Sequence, residues 1–298
     1  MKQALTSIQI PGAAPAAKGK VRDIFDLGDK LLLAATDRIS AFDCILPQGV
    51  PDKGAVLTQM SFFWFETLAP AKPHHVISTE VEDFPEPFRN YPEILAKRSM
   101  LVKKVQPLPV ECVVRGYIAG SAWAEYQENH TICGIRLPEN LRLSDPLPNP
   151  IFTPAFKNKE GHDENISFDE AAAIIGGGDA EELRARSLEI FKAASDYAKK
   201  RGVILADTKF EFGKEGDEII LMDEILTPDS SRFWLETDYQ PGQAQEAFDK
   251  QFVRDFLINI QWDRNPPAPD LPDEIIESTR RRYIDAYRML TGKEWNSD

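Results

Sequence analysis

The chain has 298 residues, enough for one large domain or two lobes, and its 42% hydrophobic and 28% charged content is that of an ordinary soluble globular protein. No apolar run approaches the roughly 20 residues that span a bilayer, the N-terminus lacks a signal-type apolar core, and Cys44, Cys112 and Cys133 lie too far apart for a disulfide framework, so reduced thiols in the cytoplasm are expected. A net charge of −13 repels nucleic acid and anionic membranes, which leaves an anionic small molecule as a partner only where Lys and Arg cluster locally.

Residues 21–27 and 30–35 read as two strands around a Gly28-Asp29 turn, entered through the basic Lys18-Gly19-Lys20. The spacing of Leu57, Met60, Trp64 and Leu68 predicts a helix over 55–68. Pro70, Pro73, Pro85, Pro87 and Pro92 then mark a loop-rich stretch, followed by strands at 100–105 and 110–114. From 125 to 169 the pattern is polar, irregular and proline-rich, as in a long functional loop. Asp179 and Glu182 have capping-box spacing and open a predicted helix that runs to about Lys200 and stops at Gly202. Its buried stripe would be Leu183, Ser187, Ile190, Phe191, Ala194 and Tyr197. Short strands are predicted at 203–206, 209–212 and 218–223, with GKEGD turning between the last two, and amphipathic helices near 246–261 and 273–290. Strands in hairpins and helices in separate blocks predict an α+β fold.

Several common chemistries have no motif here. There is no P-loop, no dinucleotide fingerprint, no zinc spacing and no G-x-S-x-G elbow. The Gly176-Gly177-Gly178 run leads into a helix but reads as a flexible linker ahead of a phosphate cradle.

Four constellations remain, each with a plainer alternative. In DTKFEFGKEGDEIILMDE, strand alternation sends Asp207, Lys209 and Glu211 to one face. Magnesium and a triphosphate would compensate such a face, and a solvated strand would share the pattern. If GKEGD closes a five-residue hairpin loop, Asp223 lies opposite Asp207 and about 13 Å along the strand from Glu211, too far to share one ion. In ECVVRGYIAGSAW, Arg115 precedes a Gly-rich turn ending at Ser121, which suits either a phosphate or a structural ion pair. In TPDSSRFW, Ser230, Ser231 and Arg232 offer donors, or simply a capped turn. The Gly19 hairpin puts Lys20 and Arg22 on one face and could fold over a triphosphate.

Taken in order, GKVRDIF, DRISAFD, KGAVLTQMSFFWFE, LVKKVQPLPVECVVRGYIAGSAW, ILADTKFEFG, LMDEILTPDSSRFW and DKQFVRDFL resemble the SAICAR synthetase family, phosphoribosylaminoimidazole-succinocarboxamide synthase, over residues 19–257. The resemblance implies a two-lobed α+β fold, with an ATP-clamping antiparallel-sheet lobe at 1–110, a substrate lobe at 111–298 and a cleft between them. It implies an ATP-dependent ligase of purine biosynthesis that joins L-aspartate to a carboxyaminoimidazole ribonucleotide through an acyl phosphate, with Mg2+ as cofactor. It assigns ATP contacts to Gly19, Lys20, Val21, Arg22, Lys103 and Glu111, and metal binding to Glu211 and Asp223. It assigns catalysis to Lys209, Asp207 and Asp43. Substrate contacts fall to Arg115, Ser121, Ser231 and Arg232, and to Lys157, His162, Asp163 and Asn165 in FKNKEGHDENIS. The length near 300 resembles the longer form of the family, which implies a monomer. Lys, Glu and Asp around magnesium would also serve a small-molecule kinase, and a nucleotide-binding regulatory protein could keep the same scaffold.

Overall fold

A computed structural model describes all residues except 1–2, 43, 159–162, 249 and 298, together with every side chain among them but that of Gln251. The chain forms two compact units. One comprises Met1–Phe63, His75–Lys104 and Phe248–Asp298, the other Trp64–His74 and Val105–Ala247. The expected grouping of 111–298 as one lobe therefore differs at its C-terminal end.

The first unit is built on an antiparallel sheet in the order Ala17–Lys18, β1 (Arg22–Asp26), β2 (Lys30–Ala35), β3 (Ser99–Lys103) and Val76–Ser78. The Gly28-Asp29 turn closes as expected, with the Leu27 amide on the Lys30 carbonyl at 3.0 Å. Register places Phe25 opposite Leu32 and Leu32 opposite Leu101, so period-2 alternation builds one apolar row across three strands. That row packs on Val81, Phe84, Phe88 and Leu95. Each such side chain contributes about 1.5–3 kcal/mol on burial. The C-terminal helices Gln251–Asn259 and Asp273–Thr291 join this unit because Val253, Leu257 and Ile276 pack on Ile39, Ala41 and Leu46 of the hairpin Arg38–Ala41/Cys44–Gly49 and on Val50 beyond it.

The second unit carries an eight-stranded sheet. Its backbone runs from Glu164–Asn165 through β5 (Ala155–Phe156), β4 (Val110–Tyr117) and β6 (Val203–Glu215) to β7 (Glu218–Met222). The strand Pro146–Phe152 adds to β4, while Gln106–Pro107 and β8 (Ser231–Leu235) add to β6. The helix Gly177–Lys199 buries Leu183, Ser187, Ile190, Phe191 and Ala194 as its pattern predicts, with Ala198 taking the place expected for Tyr197.

Three local expectations are corrected. The two strands expected at 203–206 and 209–212 are one 13-residue strand, β6, with a register shift between Leu205 and Asp207. The Asp179 capping box does not form; Gly176 is the N-cap with no side-chain bond, and Asp179 pairs with Lys214 at 2.5 Å. The capping box sits one helix earlier, between Ser167 and Glu170, and opens Phe168–Ile175. The stretch 125–169 is not one loop, because it holds the end of the helix Ser121–Asn129 and the strands Pro146–Phe152, Ala155–Phe156 and Glu164–Asn165.

Candidate active site

Strand β6 carries the site because it is paired on both edges where its charges lie. Asp207 is registered with Arg115 of β4 and with Arg232 of β8, and Lys209 with Val113. Alternation then keeps Glu111 and Arg115 on the same face as Asp207, Lys209 and Glu211. This face holds two separate charge centres.

The first surrounds Glu211. Lys157 Nζ lies 2.5 Å from Glu211 Oε2, and Lys209 Nζ donates to Glu111 Oε1 at 2.9 Å. Asp223 belongs to this centre, and the five-residue loop is wrong. The turn holds only Gly216 and Asp217, with Gly216 at φ +62°, so Glu215 pairs with Glu218 and Glu211 with Met222. Asp223 follows Met222 directly and leaves the ladder at φ +64°. The hairpin is three residues tighter than a five-residue loop allows, which brings Asp223 beside Glu211 instead of Asp207.

The electrostatics report the same proximity. Burial, then the Asp223 charge, pushes the Glu211 carboxyl above its ordinary pKa, with Lys157 opposing. Burial works against the Lys209 ammonium, yet Glu111, Glu211 and Asp223 together hold its pKa above the usual lysine value. Asp163 is raised by burial and then by Glu111, so it shares this surrounding. Two adjacent carboxylates that disfavour each other's ionisation suit a divalent cation, which would reverse that penalty. Among the described residues no group of three His, Cys, Asp or Glu is placed to hold a metal. Two carboxylates completed by phosphate oxygens and water fit Mg2+.

The second centre is a pair of guanidinium groups sharing one carboxylate. Arg115 is 4% exposed and Asp207 5%. Arg115 Nη1 is 3.5 Å from Asp207 Oδ2, and Arg232 Nη1 donates to the same oxygen. Arg115 also donates from Nη2 to Ser121 Oγ at 3.3 Å and from Nε to Thr153 Oγ1 at 3.0 Å. Burial lowers the Arg115 pKa and Asp207 opposes that shift; arginine stays charged in proteins regardless. Ser121 opens the helix Ser121–Asn129, whose N-cap Gly120 makes no side-chain bond. Two guanidinium groups, a hydroxyl and a helix N-terminus together suit a phosphate.

The remaining expected residues are dispersed. Ser231 is 6% exposed, and its hydroxyl lies 2.8 Å from that of Thr208, its register partner on β6. Asn165 donates to Glu125 Oε2 at 3.0 Å. Gly19, Lys20, Val21, Arg22 and Lys103 belong to the first unit. There the Gly19 amide bonds the Arg22 carbonyl at 2.7 Å. Arg38 fastens the hairpin by donating to the Gly19 and Lys20 carbonyls at 2.9 and 3.1 Å and to fully buried Asp23 at 2.8 Å. Asp43 and His162 lie outside the described residues. Sequence reasoning missed Arg38, Thr153 and Gly120. Arg38 stood in DRISAFD and Gly120 in the Gly-rich turn, but Thr153 carries no local signal because its partner is 38 residues away.

The SAICAR synthetase family model matches residues 15–269. The phosphoribosylaminoimidazole-succinocarboxamide synthases of Desulfosudis oleivorans and Geotalea uraniireducens are 52% and 53% identical to the chain. Each alignment covers 98% of the chain, and 100% and 99% of those proteins respectively. Among solved structures, SAICAR synthase from Saccharomyces cerevisiae, complexed with SAICAR, superposes with a TM-score of 0.90 at 41% identity, over 98% of this chain and 99% of that one. A SAICAR synthetase in complex with ADP gives a TM-score of 0.68 at 25% identity, over 94% and 99%. The match spans both compact units and every charged group described above, and the chain belongs to the SAICAR synthetase family.

Proposed function

We infer that the two charge centres on β6 divide one reaction between them. The chain is an ATP-dependent ligase of purine biosynthesis that condenses L-aspartate with 5-amino-1-(5-phospho-D-ribosyl)imidazole-4-carboxylate, giving SAICAR, ADP and phosphate. The observation that carries the division is spacing. Asp207 and Glu211 are four residues apart on one strand, about 13 Å, with guanidinium groups at one end and the Glu211–Asp223 pair at the other. That leaves room for a ribosyl group between a 5′-phosphate held by Arg115, Arg232 and Ser121 and a carboxylate reacting near Lys209.

A carboxylate is a poor acyl donor because its leaving group would be oxide. In our reading, one of its oxygens attacks the γ-phosphorus of ATP, the bond to ADP breaks, and an acyl phosphate forms. The aspartate amine then adds to the acyl carbon, phosphate departs, and the amine loses a proton. Lys209 and Lys157 place positive charge where the transferring oxygens gather, and Glu111 fixes Lys209. Mg2+ on Glu211 and Asp223 would supply further neutralisation of the phosphoryl charge. Asp207 holds the two arginines apart from that centre and fixes their orientation. The Arg38-fastened hairpin with Lys20 and Arg22, and Lys103, are assigned to ATP. A cytoplasmic location and a monomeric state belong to the same proposal.

Measuring ADP release with the carboxylated ribonucleotide, with and without aspartate, tests the reading. Release should require aspartate and match amide formation. Stable phosphate on an acceptor without amide would instead identify a kinase.

A further inference from the structure

The two guanidinium groups of the second centre are aimed by residues that need not touch a ligand. Arg115 Nε donates to Thr153 Oγ1 at 3.0 Å. Thr153 is fully buried, and it is locked to β4 by its own amide on the Val113 carbonyl at 2.8 Å, with its hydroxyl 3.3 Å from the same oxygen. The hydroxyl therefore sits at a fixed point on the Nε edge. It leaves the Nη edge of Arg115 toward Asp207 and Ser121.

Arg232 is placed by an empty space. A Cβ on Gly120 would lie 2.4, 2.8 and 3.0 Å from Nη2, Cζ and Nη1 of Arg232, inside van der Waals contact with three guanidinium atoms. Gly120 also sits at φ +57° and ψ −133°, a conformation that L side chains avoid. The guanidinium packs against the glycine while bonding Asp207. A methyl group at this position would force the Arg232 guanidinium out of the place from which it bonds Asp207.

We propose that Thr153 and Gly120 are positioning residues for phosphate recognition, Thr153 by fixing the Nε edge of Arg115 and Gly120 by leaving room for the Arg232 guanidinium beside Asp207. The proposal rests on the reading of Arg115 and Arg232 as the holders of the ribonucleotide phosphate.

Thr153→Val keeps the side-chain volume and removes the acceptor, so it should raise the ribonucleotide KM about tenfold, the scale of one hydrogen bond to a charged group. The KM values for ATP and aspartate should not move. Thr153→Ser, which keeps the hydroxyl, should restore the ribonucleotide KM. In an Arg115→Ala background Thr153→Val should add nothing further, because the group it positions is gone. Gly120→Ala should behave in the same way against Arg232→Ala. If Gly120→Ala does not fold, the near-isosteric Thr153→Val series decides alone. Arg115→Ala and Arg232→Ala by themselves test the underlying reading, and an unchanged ribonucleotide KM in both would overturn it and this proposal together. If they raise KM but Thr153→Val matches wild type, or adds as much in the Arg115→Ala background as in wild type, the phosphate reading stands and the positioning role is overturned.

Discussion

Asp207 and Glu211 lie on the same face of the same strand, yet the protein uses their charges oppositely. Asp207 is 5% exposed between two cations, and removing its charge would strand Arg115 in the interior. An uncompensated buried charge costs about 3–5 kcal/mol. Asp207→Asn should therefore lower stability by that order in denaturant titration, with a matching drop in the midpoint. Glu211 is the reverse case. Its pKa is raised by burial and by Asp223, so it binds its proton more tightly in the folded state than in the unfolded one. The contribution of such a group favours folding below the ordinary carboxylate pKa and is lost as pH rises through the raised value. Glu211→Gln removes that loss. In metal-free protein its Tm relative to wild type should be more favourable at pH 7.5 than at pH 4.5, while turnover collapses. A Tm difference that does not change with pH would contradict the like-charge account of the Glu211–Asp223 pair.

At the scale of elements, the β6–β7 hairpin decides whether Asp223 reaches Glu211. Alternation along the strand made Lys209 and Glu211 legible from sequence, because period 2 is a property of the chain alone. The hairpin register was not legible in the same way. GKEGD contains two glycines, and whether both or only Gly216 turns the chain depends on how far β6 stays paired. Contacts with Gln106–Pro107 and β7 extend it to Glu215. Inserting one glycine between Gly216 and Asp217 should shift the ladder or bulge it, displacing Asp223. Turnover should fall by orders of magnitude, while near-ultraviolet circular dichroism and the ribonucleotide KM stay close to wild type. A similar argument covers the missed helix caps. Ser167 with Glu170 and Asp179 with Glu182 have the same spacing, and only tertiary context, the Lys214 partner of Asp179, separates them.

At the scale of the whole molecule, the α+β class followed from the blocks of periodicity, whereas the membership of each compact unit did not. Chain order put residues 248–298 with the segment before them. Their amphipathic helices instead pack on the hairpin Arg38–Ala41/Cys44–Gly49, and Arg280 donates to Asp52 at 2.7 Å. These contacts span more than 200 residues of sequence and leave no local trace. Leu257 is 1% exposed in that cluster, so Leu257→Ala should cost about 2–5 kcal/mol through the cavity it leaves. Thermal unfolding would show the loss, with the ribonucleotide KM unchanged near 25 °C. The acidic chain as a whole also makes sense of its charge distribution. A net charge of −13 leaves phosphate recognition to the few places where Lys and Arg are held by buried carboxylates.

The roles proposed for Lys209, Glu211 and Asp223 depend on phosphoryl transfer onto the ribonucleotide carboxylate. That transfer can be followed by labelling both oxygens of that carboxylate with 18O and analysing the inorganic phosphate released in the presence of ATP and aspartate. The acyl-phosphate route carries one labelled oxygen into each phosphate, because the attacking carboxylate oxygen leaves with the phosphoryl group. Phosphate free of 18O, with amide still formed, would contradict it.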